Sequence, residues 1–417
     1  MIVLEMKAYP KQHQQVAIDE AILTVQFIRN KALRLWMDGG KEDKINKYDL
    51  NKYCAVLAKD FVFAGELNST ARQAAAERAW SAIARFYDNC KKSPQAARNP
   101  GGIGYPKFQK YNRSVEYKHS GWKLSEDRNK ITFTDKKGIG TLKLKGTRDL
   151  NFYPVDQIKR VRIVRRADGY YVQFCLSVNI HDYTKPLTPA KKCIGLDVGL
   201  ARFYTDSDGH TVEVPQYYRK AEKQLNRLNR RKSKKFKKGC TQSNNYKKAR
   251  IRYALKHLRV SRQRKGFAVE TALRVIQSSD LIAYVGASLP TLGGIDLKVS
   301  NMVRNQHLAK SINDAAWSTF REWLEYFGYK YKKVTVAVPP HNTSQNCSEC
   351  GEKVKKSLST RTHQCQCGCV LDRDHNAALN ILSLGLSTVG HTGSKAWGEN
   401  ASALVGENLL TEAISVN

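Results

Sequence analysis

Five cysteines, Cys347, Cys350, Cys365, Cys367 and Cys369, crowd into one short stretch of this 417-residue chain, while the other five lie scattered singly. Scattered cysteines read as small buried hydrophobes, and a cluster reads as a metal site. Cys347-x2-Cys350 and Cys365-x-Cys367, each pair followed by a glycine, offer four thiolates in two close pairs. That is the donor set of a tetrahedral structural Zn²⁺, as in a zinc ribbon, and the metal would fold a stretch too poor in apolar residues to fold itself. The second pair is one residue shorter than the first, so Cys369 and His363 are rival ligands. No residue marks the open position that a catalytic zinc needs.

The second chemistry-bearing group is acidic. Asp197 ends an apolar run between two glycines, in Gly195-Leu196-Asp197-Val198-Gly199. Asp372 and Asp374 open a helical pattern directly after the cysteines, in Asp372-Arg373-Asp374-His375-Asn376-Ala377-Ala378. Alone, an acid at a helix start is commonly a cap. Together, a strand-end acid and a helix-start acid suit phosphodiester hydrolysis, in which carboxylates converge on two Mg²⁺ ions roughly 4 Å apart.

The elements that must position these groups are legible in outline. Ile2 to Met6 reads as a strand, and helical patterns follow through Ile18, Ile22, Val25 and Leu33 and then through Ala74, Trp80, Ile83 and Phe86. From about Tyr105 to Val178 the texture changes to short strands, so a helical block is inserted in a β-rich unit. After Pro186 and Pro189 a new unit starts near Cys193, with Asp208-Gly209 as a hairpin turn. Residues 219–265 are dense in Lys and Arg with Glu222 as their only acid. Such a one-sided run is costly unless phosphates neutralise it, which favours contact with nucleic acid. Residues 286–295 are glycine-rich. An amphipathic helix through Ile312, Phe320 and Phe327 then leads to the strand Val334 to Val338, and residues 386–417 read as a weakly ordered tail. The chain shows no internal repeat.

Here the sequence resembles a family. GLDVGL at 195–200, DLKVSNM at 296–302, TSQNCSECG at 343–351, DRDHNAALNIL at 372–382 and FIRNKALRLWMD at 27–38 are similar to the TnpB proteins. These are transposon-encoded RNA-guided DNA nucleases of prokaryotes, related to type V CRISPR effectors. The resemblance covers about nine-tenths of the chain. It implies an α/β multidomain fold: a β-barrel wedge domain (residues 1–12 and 101–188) with a helical recognition insertion (13–100). An RNase H-like RuvC nuclease domain (189–340 and 371–385) would follow, interrupted by a zinc ribbon (341–370). It further implies a guide RNA, target double-stranded DNA, catalytic Mg²⁺ and structural zinc.

Carried over by position, Asp197 matches the first catalytic acid, Asp374 the last and Asp372 its companion. The middle acid of the family, a strand-end Glu, has no counterpart. The strand side of the motif puts Val285 there and the downstream side Ile295, with Asp296 as the nearest acid. Two readings stay open: an RNA-guided endonuclease of a transposable element with a displaced third acid, and an RNA-guided DNA-binding protein that no longer cuts.

The charge balance fits either reading. With 71 Lys+Arg against 37 Asp+Glu the formal net charge is +34, which points to polyanionic partners and against an ordinary metabolic enzyme. Hydrophobic residues at 41% can supply real cores. The start, MIVLEMKAYP, lacks a signal-peptide apolar run, and no stretch reaches the roughly 18 apolar residues of a spanning helix, so a cytosolic protein with no membrane partner is expected. Oligomeric state, guide and base-reading residues stay open.

Overall fold

The computed structural model describes residues 2–40, 43–92, 104–286, 309–357 and 360–390. The fold is mixed α/β, in two units, residues 1–182 and 183–417. Asp296 and the segment 287–295 lie outside the described residues, as does the tail from 391 onward.

The N-terminal unit centres on an antiparallel sheet of seven strands in the order β2-β6-β7-β1-β5-β4-β3. These strands are β1 (Ile2–Tyr9), β2 (Ser114–Tyr117), β3 (Trp122–Leu124), β4 (Lys130–Phe133), β5 (Gly140–Lys145), β6 (Ile158–Arg166) and β7 (Gly169–Leu176). β1 pairs with both β5 and β7, so the first strand is locked by two that follow it much later in the chain. Between β1 and β2 the chain makes α1 (Gln12–Asp38), α2 (Lys47–Asp60), the single turn α3 (Val62–Gly65) and α4 (Ser69–Lys92). Ile18, Ile22, Ile28 and Leu33 of α1 are fully buried, at the spacing of one helix face. On the sheet, Glu116 of β2 faces Arg162 of β6. It is buried but bonded by Arg78, Arg160 and Arg162, which is what a buried carboxylate requires.

The second unit is built on a five-stranded mixed sheet, β10-β9-β8-β11-β12. Its strands are β8 (Cys193–Val198), β9 (Arg202–Asp206), β10 (Thr211–Glu213), β11 (Leu281–Val285) and β12 (Val334–Val338). The β9–β10 turn uses Gly209 at φ +83°, as its Asp-Gly sequence requires. One face of the sheet packs on α6 (Asn244–Ser278) and α8 (Trp317–Tyr331) through Leu196, Phe203, Ile282, Ala272, Phe320 and Leu324. The other face takes α9 (Arg373–Thr388) through Ile381, Ala283, Val336 and Val338. The basic run forms α5 (Tyr217–Ser233) and the first half of α6, closed by a small core of Ala221, Leu225 and Val260. α7 (Ala309–Ala315) precedes α8, and a ribbon of β13 (Thr362–Gln364) and β14 (Val370–Asp372) precedes α9. Among the described residues, no helix is long and apolar enough to cross a membrane.

Candidate metal centres

The acids assemble where β8 meets α9. Gly195 and Asp197 share a face of β8, and a Cβ on Gly195 would stand 2.1 Å from the Ala378 carbonyl oxygen and 2.7 Å from the Leu382 nitrogen. Only glycine permits that approach, so the GLDVGL motif serves helix packing, and the reason its Gly195 is needed is the α9 backbone. The approach brings Asp197 within electrostatic reach of Asp374. Burial, and then the Asp374 charge, raise the Asp197 carboxyl to about 7, with Arg373 opposing. A buried carboxylate raised by a second one beside it is a place that a cation's charge would favour.

Asp372 is the N-cap of α9. Its Oδ1 accepts the Asp374 and His375 backbone N–H groups at 2.9 and 3.4 Å, and Arg202 reaches its Oδ2 at 3.3 Å. The companion acid thus has a cap's employment. Asp374 is bonded by Arg373 through two nitrogens, at 3.0 and 2.9 Å, and by Arg361 at 3.4 Å.

The third position is set by register. β11 runs parallel to β8, with Leu281 opposite Cys193 and Tyr284 opposite Leu196. Continued by one residue, this register brings Val285 level with Asp197, and Val285 packs, as Leu382 and Leu386 do, against the cluster of Ala283, Val338 and Ile381. An apolar side chain therefore stands beside the acid pair. A cation at this contact would be held by Asp197 and Asp374, and among the described residues no acid stands at the third position.

The cysteine cluster passes a stricter fit test. The sulfurs of Cys347, Cys350, Cys365 and Cys367 lie within 4.8 Å of one another. Cys347 and Cys367 are 3.7 Å apart, and Cys350 and Cys365 are 3.5 Å apart. Tetrahedral zinc with bonds of about 2.3 Å needs sulfurs about 3.8 Å apart. Desolvation works to raise the Cys347 thiol, but N–H groups of Cys350 and Glu349 outweigh it and bring the thiol down to about 5. A thiolate is the form that binds metal. Cys369 and His363, the rival ligands, group instead with Cys347 alone, and His363 Nδ1 is engaged by Lys356.

Two residues that the spacing did not single out join the centres. Asn376, fully buried on α9, accepts the Ser348 N–H at 3.0 Å and donates to the Asn346 carbonyl at 2.8 Å. Asn380, one turn on, donates to the Thr343 and Asn346 carbonyls, both at 2.8 Å. The helix that carries Asp374 thus also clamps the first cysteine turn. The signal was present as two asparagines at i and i+4 on one helix face.

Residues 173–306 match the family described as "Probable transposase", and residues 317–381 match "Cas12f1-like, TNB domain". A protein of Streptomyces pristinaespiralis called "Putative RNA-guided DNA endonuclease" is 27% identical, over 91% of this chain and 88% of its own. The chain is similar to the TnpB family's proteins. A second relative, "Putative RNA-guided DNA endonuclease InsQ" of Escherichia coli (strain K12), is 27% identical over 67% of this chain and 68% of its own. In fold, the chain is similar to the mini-RNA-guided endonuclease CRISPR-Cas_phi3, at a TM-score of 0.51 and 8% identity over 92% of each chain.

Proposed function

We propose that this chain is a TnpB-family RNA-guided DNA endonuclease of a transposable element. The observation that carries the reading is the convergence of Asp197 and Asp374 at the β8–α9 contact. The names of its relatives support it. On this reading, β8 to β12 with α9 form a RuvC-like domain, the cysteine turns with β13 and β14 a zinc ribbon, and the N-terminal sheet with its helices the wedge and recognition parts. Cys347, Cys350, Cys365 and Cys367 hold the structural zinc.

A divalent cation at the acid pair would supply Lewis-acid stabilisation of a reacting phosphodiester. The chain's own residues set the conditions for it. Asp197 holds or releases a proton near neutral pH and so sets when the pair is fully charged. Arg202, Arg361 and Arg373 offset the acids' repulsion of an incoming phosphate. The basic α5–α6 hairpin supplies sequence-independent attraction for nucleic acid, while base pairing with a guide supplies the sequence.

Val285 favours a second reading, in which the complex binds its target without cutting. The test is cleavage of a supercoiled target plasmid by the purified ribonucleoprotein with Mg²⁺, beside Asp197→Ala and Asp374→Ala. Cleavage lost in both variants supports the endonuclease. Target binding by the native chain without cleavage sinks it and leaves the second reading.

A further inference from the structure

The N-terminal unit carries an open groove along α1. Leu23, Gln26, Phe27, Lys31 and Arg34 form its floor and near wall, and Phe108 forms its far wall. Phe108 sits on a strap of chain tied to the helix at several points. Asn30 donates to the Gln109 carbonyl at 2.9 Å and accepts its N–H at 2.8 Å, and Gln26 accepts the Asn112 N–H at 2.8 Å. Arg29 adds a bond to the Lys107 carbonyl at 3.2 Å. The strap is therefore held in place, yet the ring it presents is not buried: Phe108 is 44% exposed and Leu23 opposite it 60%.

No carboxylate lines the groove. Lys31 Nζ stands 5.7 Å from the ring centres of both Phe27 and Phe61, and among the described residues no acid pairs with it. Phe27 meets Phe61 and Phe63 edge-on, at 4.9 and 5.1 Å. Arg34 bonds Asp38 at 2.7 Å and stays 62% exposed. Exposed rings between cations suit a ligand that has flat apolar faces and a negative backbone, which describes unpaired nucleotides. A duplex hides those faces in its own stack, whereas loops and ends of RNA offer them.

We propose that this groove binds unpaired nucleotides of an RNA, with a base stacked on Phe108 against Leu23 and with Lys31 and Arg34 at its phosphates. The proposal rests on the guided reading for the presence of an RNA partner.

The test uses the full chain freed of RNA and two labelled probes, an unstructured oligouridine of roughly ten nucleotides and a fully paired RNA hairpin. Phe108→Ala should weaken oligouridine binding roughly 5- to 100-fold and leave hairpin binding unchanged. Phe108→Tyr, which keeps a stacking face, should bind oligouridine as the native chain does, and Lys31→Glu should bind it less well. Equal losses on both probes for Phe108→Ala overturn the proposal. So does oligouridine binding that neither Phe108→Ala nor Lys31→Glu alters, which leaves the groove to a protein partner. The two readings fail separately. If the native complex cuts its target while the variants bind oligouridine normally, only the groove falls. If the groove variants lose oligouridine while the native complex with its RNA neither binds nor cuts target DNA, the groove stands and the guided reading falls.

Discussion

Gly195 and Ala378 meet backbone to backbone: the space for a Cβ on the glycine is taken by the Ala378 carbonyl oxygen, 2.1 Å away. Backbone cannot swing aside as a side chain can. Gly195→Ala should therefore push α9 off β8 and cost about 1–3 kcal/mol or more. The thermal midpoint of the second unit should fall by about 2–4 °C for each kcal/mol. A melting curve that matches the native one would show that the helix can shift at no cost.

The acid pair makes stability depend on pH in a defined direction. Folding raises Asp197 from the ordinary aspartate value of 3.8 to about 7. Between those values the folded chain holds a proton that the unfolded chain has lost, so metal-free stability should fall as pH rises from about 4 to 7. Denaturation of chelator-treated protein across that range checks the sign, and Asp197→Asn should flatten the slope. Mg²⁺ competes with the same proton, so its stabilising effect should grow as pH passes upward through about 7.

At the third position, Val285→Glu should set a carboxylate beside Asp197. Mg²⁺ should then bind at least about tenfold more tightly, and target cleavage should rise with it, since a complete acid set is worth orders of magnitude in rate. An unchanged rate in a variant that still folds would mean that the native chain already supplies its third acid.

The cysteines divide into ligands and bystanders. Cys347→Ser and Cys350→Ser should each release zinc and unfold the ribbon, whereas Cys369→Ser should keep the metal. Zinc content of the purified variants decides this, and zinc loss from Cys369→Ser would reassign the site.

Asn376→Ala removes a donor and an acceptor from a fully buried position. It should cost about 1–3 kcal/mol and speed zinc transfer to a competing chelator, because the first cysteine turn keeps only its Asn380 anchor on α9. Transfer at the native rate would confine Asn376 to the helix core.

What the sequence made legible was local. Two closely spaced cysteine pairs, a strand-end Asp and a helix-start Asp each announce themselves by neighbouring residues. So does the helical stripe of α1. What it hid depends on contacts between distant residues. Gly195 reads as a residue that lets something approach, and only the packed helix shows what does. Asn376 looks like a polar residue on a helix until the Asn346 and Ser348 backbones close on it. The grouping of Cys367 with three other sulfurs, and of Cys369 with Cys347 and His363, was not legible from spacing. Phe108 sits in a polar stretch with no period, so nothing local marked it as a wall.

The clamp between α9 and the cysteine turn has an order in time. Strand β8 and the basic α5–α6 hairpin are synthesised long before α9, and chains fold broadly in that order. A nascent chain, or a fragment severed between β12 and α9, keeps the charge that attracts nucleic acid and lacks the acid that completes the pair. On the endonuclease reading, such a product would be a blunt competitor that attracts nucleic acid without cutting it. On that reading, loss of the segment that carries α9 would turn the chain against its own activity.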